Sequence, residues 1–133
     1  MWWIMSRTLA IIKPDAFRNK IDKEIEEEIK QESFKIIGEI ETFLTKETAA
    51  SFYKEHRNAK FFDDLVHFMS SNKIKALLLE KVNAVEDWRK LVDKIRAKHS
   101  GTLKHETVVH GSDSDKSAKR EIEFFFGRGS YFI

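Results

Sequence analysis

The run Thr8-Leu9-Ala10-Ile11-Ile12 stops abruptly at Lys13-Pro14-Asp15, and that break constrains the fold more than any other feature of the chain. A short, continuous apolar run rich in β-branched residues and bounded by a turn signal describes a buried central strand. Proline has no N–H for a ladder and biases the residue before it toward extended geometry, so the strand ends with Lys13 at its very tip. A lysine there points off the sheet into whatever cleft lies above it, unless it is only a solvated strand-end cation. The tripeptide alone does not choose between the two.

The remaining apolar residues supply partners for that strand. Ile21, Ile25 and Ile29 form one stripe on a helix from about Asn19 to Glu32, whose other faces are acidic and solvated. Phe34, Ile36, Gly38 and Ile40 alternate with polar residues as a half-buried strand, while Ile37 and Phe43 on its other side call for further cover. Thr45 can cap a helix reaching about His56, and Phe61 to Met69 repeats at helical spacing. Ile74–Leu79 reads as a strand. Asn83 and Glu86 resemble a capping box opening a helix that carries Ala84, Val85, Trp88, Leu91, Val92 and Ile95 to about Lys98, with Gly101 as its stop. Val108 and Val109 then lead into His110-Gly111-Ser112-Asp113-Ser114. Asp113 or Ser114 can cap a short helix through Arg120, and Ile122–Phe126 reads as a closing strand. With the two middle helices counted as one insertion, the order is βαββαβ. The expected class is α/β (α+β), a ferredoxin-like antiparallel four-stranded sheet with helices packed on it.

Composition narrows the functions open to such a fold. At 133 residues and 41% hydrophobic content, one domain with a real core is expected. The net charge of +2 from 24 basic and 22 acidic residues is too balanced for a nucleic-acid binder, and no basic stripe with interleaved aromatics is present. Without cysteine the chain has no disulfide, thiolate nucleophile or zinc ribbon. Met1-Trp2-Trp3-Ile4-Met5 is far too short for a signal peptide or a membrane span, and Met5 is an alternative start. The expected setting is a reducing cytoplasm, with no membrane partner.

Chemistry concentrates at His110. A neutral imidazole is a nucleophile at physiological pH. Gly111 leaves one side of it without a Cβ, so a substrate can approach closely, and the helix N-terminus just beyond suits a phosphate. A structural histidine satisfied in a turn is the plainer reading of the motif alone. Arg89 and Arg96 lie two turns apart on one helix face. They can present two cations to a polyphosphate or line a solvated flank beside Asp93, and spacing alone favours the flank. Phe61, just after Lys60, can be core or an exposed platform for stacking.

Together these stretches resemble one family. Arg7-Thr8-Leu9-Ala10-Ile11-Ile12-Lys13-Pro14-Asp15 is similar to the N-terminal signature of nucleoside diphosphate kinases. Phe52-Tyr53, Phe61-Phe62 with Leu65, Met69-Ser70-Ser71, and His110-Gly111-Ser112-Asp113-Ser114 with Ser117-Ala118 and Glu121-Ile122 follow in the family's order. The resemblance implies ping-pong transfer of a γ-phosphoryl from a nucleoside triphosphate such as ATP to a nucleoside diphosphate, through a phosphohistidine. It matches His110 to the nucleophile and Glu121 to the carboxylate that orients its other nitrogen. Lys13 and Tyr53 match groups near the transferred phosphoryl, and Ser112 the serine after the histidine and glycine. Phe61 matches the base-stacking aromatic with Leu65 beside it, and Arg89 a phosphate-binding arginine. Magnesium, Mg2+, bridges the phosphates in the family and needs few protein ligands.

The departures from the family pattern fall around the nucleotide. The segment between Arg89 and His110 is shorter than the family's usual length. Arg96, the obvious match for a second arginine, lies one residue too far from His110. Thr107 stands where the family has a ribose-contacting asparagine, and Asn72-Lys73 replaces a Gly-Pro pair. A catalytically weak nucleotide-binding or interaction module of the same fold is therefore the alternative to an active enzyme. The shortened segment also points to a homo-oligomer with a dimer as its basic unit, or a tetramer built from it, instead of a hexamer.

Overall fold

The computed structural model describes residues 4–102 and 105–133; the start of the apolar N-terminal stretch, residues 1–3, lies outside them. β1 (Met5–Ile12) is followed by a single turn of helix, α1 (Pro14–Arg18), and by α2 (Asp22–Gln31). Then come β2 (Lys35–Thr42), α3 (Lys46–Phe52), a 3-10 turn at Lys54–His56 and α4 (Phe62–Met69). β3 (Ile74–Val82), α5 (Ala84–His99), β4 (Val109–Gly111) and α6 (Asp115–Phe126) complete the chain. Among the described residues no helix is long and apolar enough to cross a membrane.

The four strands form one antiparallel sheet in the order β2-β3-β1-β4. This is the ferredoxin-like arrangement, with β1 in the interior as its unbroken apolar run requires. Pleating sends Leu9 and Ile11 to one face, where Ala76, Leu78, Phe52, Met69, Ala118 and Ile122 meet them. Ala10 and Ile12 go to the other, against Ile25, Ile29, Trp88, Val92 and Ile95. Helices α3, α4 and α6 therefore cover one face, and α2 and α5 the other. Both faces are sealed, which is why β1 shows no polar alternation.

Three expectations need correction. Ile122–Phe126 is not a strand but the second half of α6. Ser114 and Ser117 close a reciprocal cap at its start, Ala118 and Ile122 fall on one buried face, and Gly127 ends it at φ 98°. The fourth strand is instead the three-residue Val109–Gly111, which carries His110 within it opposite Ile11. Asn83 forms no capping box. It takes a left-handed backbone, φ 55°, and the Ala84 N–H is capped from β1 by the Ser6 hydroxyl at 2.9 Å. The helix expected from Asn19 begins at Asp22, and ahead of it Pro14–Arg18 forms a turn of helix not expected from the sequence, with Pro14 at its first position as its fixed φ favours.

Candidate active site

β4 delivers His110 to the edge of a cavity of about 230 Å³, lined by Phe52, Tyr53, Glu55, His56, Arg89, Arg96, His110, Gly111, Asp113, Ser117, Arg120 and Glu121. α6 brings Glu121 up to the imidazole. Nε2 and Glu121 Oε1 are 2.7 Å apart, and because a carboxylate accepts, the proton sits on Nε2. The lone pair of Nδ1 is then left free, and Nδ1 makes no hydrogen bond among the described residues. Ser112 is fully buried and donates to the same carboxylate oxygen at 2.9 Å. It stands behind the carboxylate, outside the cavity wall. Phe52 and Tyr53 pack edge-on against the imidazole, with ring centres 5.6 and 6.0 Å away. Burial, aided by Glu121, pushes the Tyr53 hydroxyl pKa well up, so it stays a neutral donor.

Gly111 has a different purpose from the one expected. A Cβ there would lie 2.7 Å from the Trp88 indole nitrogen and 3.3 Å from a Val92 methyl. The bare Cα makes room for α5 under the strand, and no path for substrate follows from it. Trp88 uses that room to donate its indole N–H to the His110 carbonyl at 3.2 Å.

The two arginines of α5 both line the cavity, Arg89 from a solvent-exposed position and Arg96 half-buried. Arg89 reaches the Gly111 carbonyl at 3.4 Å, and Arg96 donates to the Val109 carbonyl at 3.0 Å. Neither makes a salt bridge among the described residues, and the buried Nε of Arg96 has no hydrogen-bond partner there. Burial, with Arg89 nearby, lowers the Arg96 pKa. Two unneutralised guanidinium groups on one wall make an anion site. Arg120 also borders the cavity, donating to the Phe52 carbonyl at 2.9 Å, but it is paired with Glu55 at 3.4 Å and lies 4.0 Å from Glu121. Sequence reasoning passed over Arg120, although its place directly before Glu121 on α6 was a usable signal.

Lys13 does not stand free in this cavity. It is 6% exposed, and its ammonium donates to the His105 carbonyl at 2.8 Å and to Thr107 Oγ1 at 2.9 Å. Burial lowers its pKa from 10.5 to about 8. Beyond it, Phe61 lines an open groove of about 670 Å³ with Arg18, Lys60, Asp64, His67, Phe68, Ser71 and His105. Its ring lies 6.1 Å from that of His105. Leu65 is 7% exposed and belongs to the core beneath the groove. The structure thus gathers His110, Glu121, Tyr53, Arg89 and Arg96 around one cavity. Phe61 sits in a second recess, with Lys13 and Thr107 enclosed between β1 and the segment before β4.

The segment feeding His110 is strained. Val108, branched at Cβ, has φ +56°, and Val109 N–H closes a tight turn onto the Thr107 carbonyl at 2.6 Å. Such a conformation costs on the order of 1–3 kcal/mol and persists only where its surroundings enforce it.

A sequence model of the family described as nucleoside diphosphate kinase matches residues 6–130. A nucleoside diphosphate kinase of Chloroherpeton thalassium is 45% identical over 132 residues, covering 92% of this chain and 93% of its own length. One from Geotalea uraniireducens is 41% identical over 133 residues, covering 93% and 97%. Among solved structures, the Aquifex aeolicus nucleoside diphosphate kinase superposes with a TM-score of 0.88 at 34% identity, over 98% of this chain and all of that one.

Proposed function

The chain belongs to the nucleoside diphosphate kinase family and is a phosphotransferase of that kind; on that premise we propose that the γ-phosphoryl of ATP or another nucleoside triphosphate passes to Nδ1 of His110 and from there to a nucleoside diphosphate. The observation that carries this reading is the Glu121–Nε2 hydrogen bond at 2.7 Å. It fixes the tautomer and leaves one nitrogen with a free lone pair beside unneutralised arginines. In the first half-reaction Nδ1 forms a bond to phosphorus while the bond to the β–γ bridging oxygen breaks, and the diphosphate leaves with that electron pair. The second half-reaction reverses this with a different acceptor.

Each neighbouring group has a part in that scheme. Glu121 stabilises the imidazolium character that develops as Nδ1 is phosphorylated, and Ser112 holds the carboxylate in line. Arg89 and Arg96 bind the phosphates and spread the charge of a loose transition state. Lys13 uses two of its three donor positions on His105 and Thr107, which leaves one to offer a phosphate oxygen. Tyr53 presents a neutral O–H. Phe61 stacks on the base, with Thr107 and Leu65 supporting that side. Stacking on one aromatic reads no base edge, so several bases are accepted.

Magnesium enters as part of the nucleotide. The only metal-ligand cluster among the described residues, Glu24, Glu28 and His99, lies on α2 and at the end of α5. The cavity instead offers hard carboxylates at its rim, Glu55 and Asp113, beside cations for phosphate. Glu55 and Asp113 would be the residues to hold such an ion beside the phosphates. When bound, the ion neutralises phosphate charge.

Association through β2 accords with the same fold. β2 is an edge strand, its Ile36, Ile37 and Ile40 are half-buried, and Phe43 is 65% exposed. A two-fold dimer covers such an edge, and a tetramer would pair two of them. Work in the cytoplasm suits a cysteine-free chain acting on the nucleotide pool. Incubation with γ-labelled ATP tests the central reading. The protein should acquire acid-labile label and lose it on addition of an unlabelled diphosphate of another base; label that stays on protein under that chase would contradict it.

A further inference from the structure

Asp15 has no part in the scheme above, yet it is 1% exposed and lies against the segment that carries the nucleophile. Its Oδ2 accepts the N–H of Val108 at 3.1 Å, a contact across 93 positions of sequence. Its Oδ1 has no hydrogen-bond partner among the described residues. On the other side of the same residue, the Lys13 N–H donates to the Val108 carbonyl at 2.8 Å. The Lys13–Asp15 corner therefore grips both peptide units of Val108.

Val108 is a residue that needs holding. A side chain branched at Cβ is a genuine outlier at φ +56°. The turn lies two positions before His110, and its direction sets how β4 enters the sheet against Ile12 and Ile11. Without an acceptor at position 15, the buried Val108 N–H would lose its partner and the backbone its reason to stay in the left-handed region. A carboxylate is the stronger acceptor for an amide N–H.

We propose that Asp15 is a positioning residue for phosphoryl transfer: its buried carboxylate holds Val108 in the left-handed turn, and through that turn sets the imidazole of His110 against Glu121 and the cavity. The inference rests on the reading of His110 as the phosphoryl relay. It gives the buried acid of the Lys13-Pro14-Asp15 corner, which makes no side-chain cap to the five-residue helix it sits in, a role in catalysis. Burial raises the Asp15 pKa, the direction expected of a carboxylate retained in spite of its desolvation cost.

Three readouts on Asp15→Ala and Asp15→Asn separate positioning from mere stability. The first is the single-turnover rate of His110 phosphorylation by magnesium ATP, and the second is the dissociation constant for ADP. The third is the Trp88 indole resonance in a proton–nitrogen spectrum, because that N–H donates to the His110 carbonyl. Misplacing a nucleophile by a fraction of an ångström to an ångström costs roughly tenfold to a hundredfold in rate. Asp15→Ala should lose that much in phosphorylation rate, shift the Trp88 resonance, and leave ADP affinity within about threefold. Asp15→Asn, which keeps an acceptor oxygen, should recover most of the rate and restore the resonance. Should Asp15→Ala fail to fold, Asp15→Glu replaces it, since the longer side chain carries the carboxylate away from the Val108 N–H and the same loss is expected. A folded Asp15→Ala or Asp15→Glu with wild-type phosphorylation and an unmoved Trp88 resonance overturns the proposal. So does a loss of rate matched by an equal loss of ADP affinity. Absence of phosphohistidine in the unsubstituted protein would instead sink the relay reading, and the Trp88 shift would still decide whether Asp15 positions the strand.

Discussion

The two halves of the candidate site are built on opposite terms. Around His110 a run of paired groups holds the ring and its strand: Nε2 with Glu121, Glu121 with Ser112, the His110 carbonyl with Trp88, and Val108 between Lys13 and Asp15. Around Phe61 the wall is an open groove of aromatic and charged side chains, Lys60, Asp64, His67 and Phe68 on α4 and the turn before it, with His105 opposite. A reacting atom must be held to within a fraction of an ångström, so its supports leave little freedom. A base that is only stacked tolerates a loose, shallow seat. The contrast implies that damage to the first half should appear in turnover and damage to the second in affinity.

The largest effect is expected at the reacting atom. His110→Gln should abolish both autophosphorylation and transfer, since a covalent relay has no substitute nucleophile. Transfer within tenfold of wild type in a coupled nucleotide assay would break the comparison at its root. Lys13→Ala removes a cation from the phosphates and should cost about 2–4 kcal/mol, mainly in kcat. Phe61→Ala should cost about 1–3 kcal/mol, mainly in KM. Steady-state kinetics on the pair sharpens the contrast, and a reversed split would mean that the two halves have been misassigned.

The smallest expected effect comes from pH. Burial sets the Lys13 pKa at about 8 in the free enzyme, so the ammonium is lost as pH rises through that value. kcat/KM should then fall, by at most about tenfold per pH unit above it. Stability should move the other way. The unfolded chain, with its lysine near 10.5, binds the proton that the folded one has released between about 8 and 10.5. More protons bound in the unfolded state means stability that rises with pH across that window. Activity falling while the melting temperature holds or climbs would assign the loss to Lys13; parallel losses would not.

Much of this was legible in the sequence, and the failures have physical reasons. The interior strand, its end at Lys13, the helical stripes of α2 and α5, and the ferredoxin-like order all follow from apolar spacing around a proline. The closing strand was misplaced because Val109–Gly111 is only three residues long, too short for any period to show. Phe124, Phe125 and Phe126 have strand-like composition, but they continue α6, where Phe125 and Phe126 pack against the cluster of Ala118 and Ile122 and Phe124 is exposed. Arg89 and Arg96 were correctly put on one face, but helical spacing does not say which neighbour a face meets. Gly111 was correctly read as a close approach, with the wrong partner. Asp15 was invisible, because its partner Val108 is brought to it only by the pairing of β1 with β4.

The central claim is that Glu121 takes Nε2 and so gives the phosphoryl to Nδ1. The isomer of phosphohistidine formed after brief exposure to magnesium ATP tests it most directly, read by phosphorus NMR on the denatured protein and by chromatography of its alkaline hydrolysate. Phosphate on Nδ1 of His110 is the expected result. Phosphate on Nε2, or on Ser112 or another residue, would contradict it.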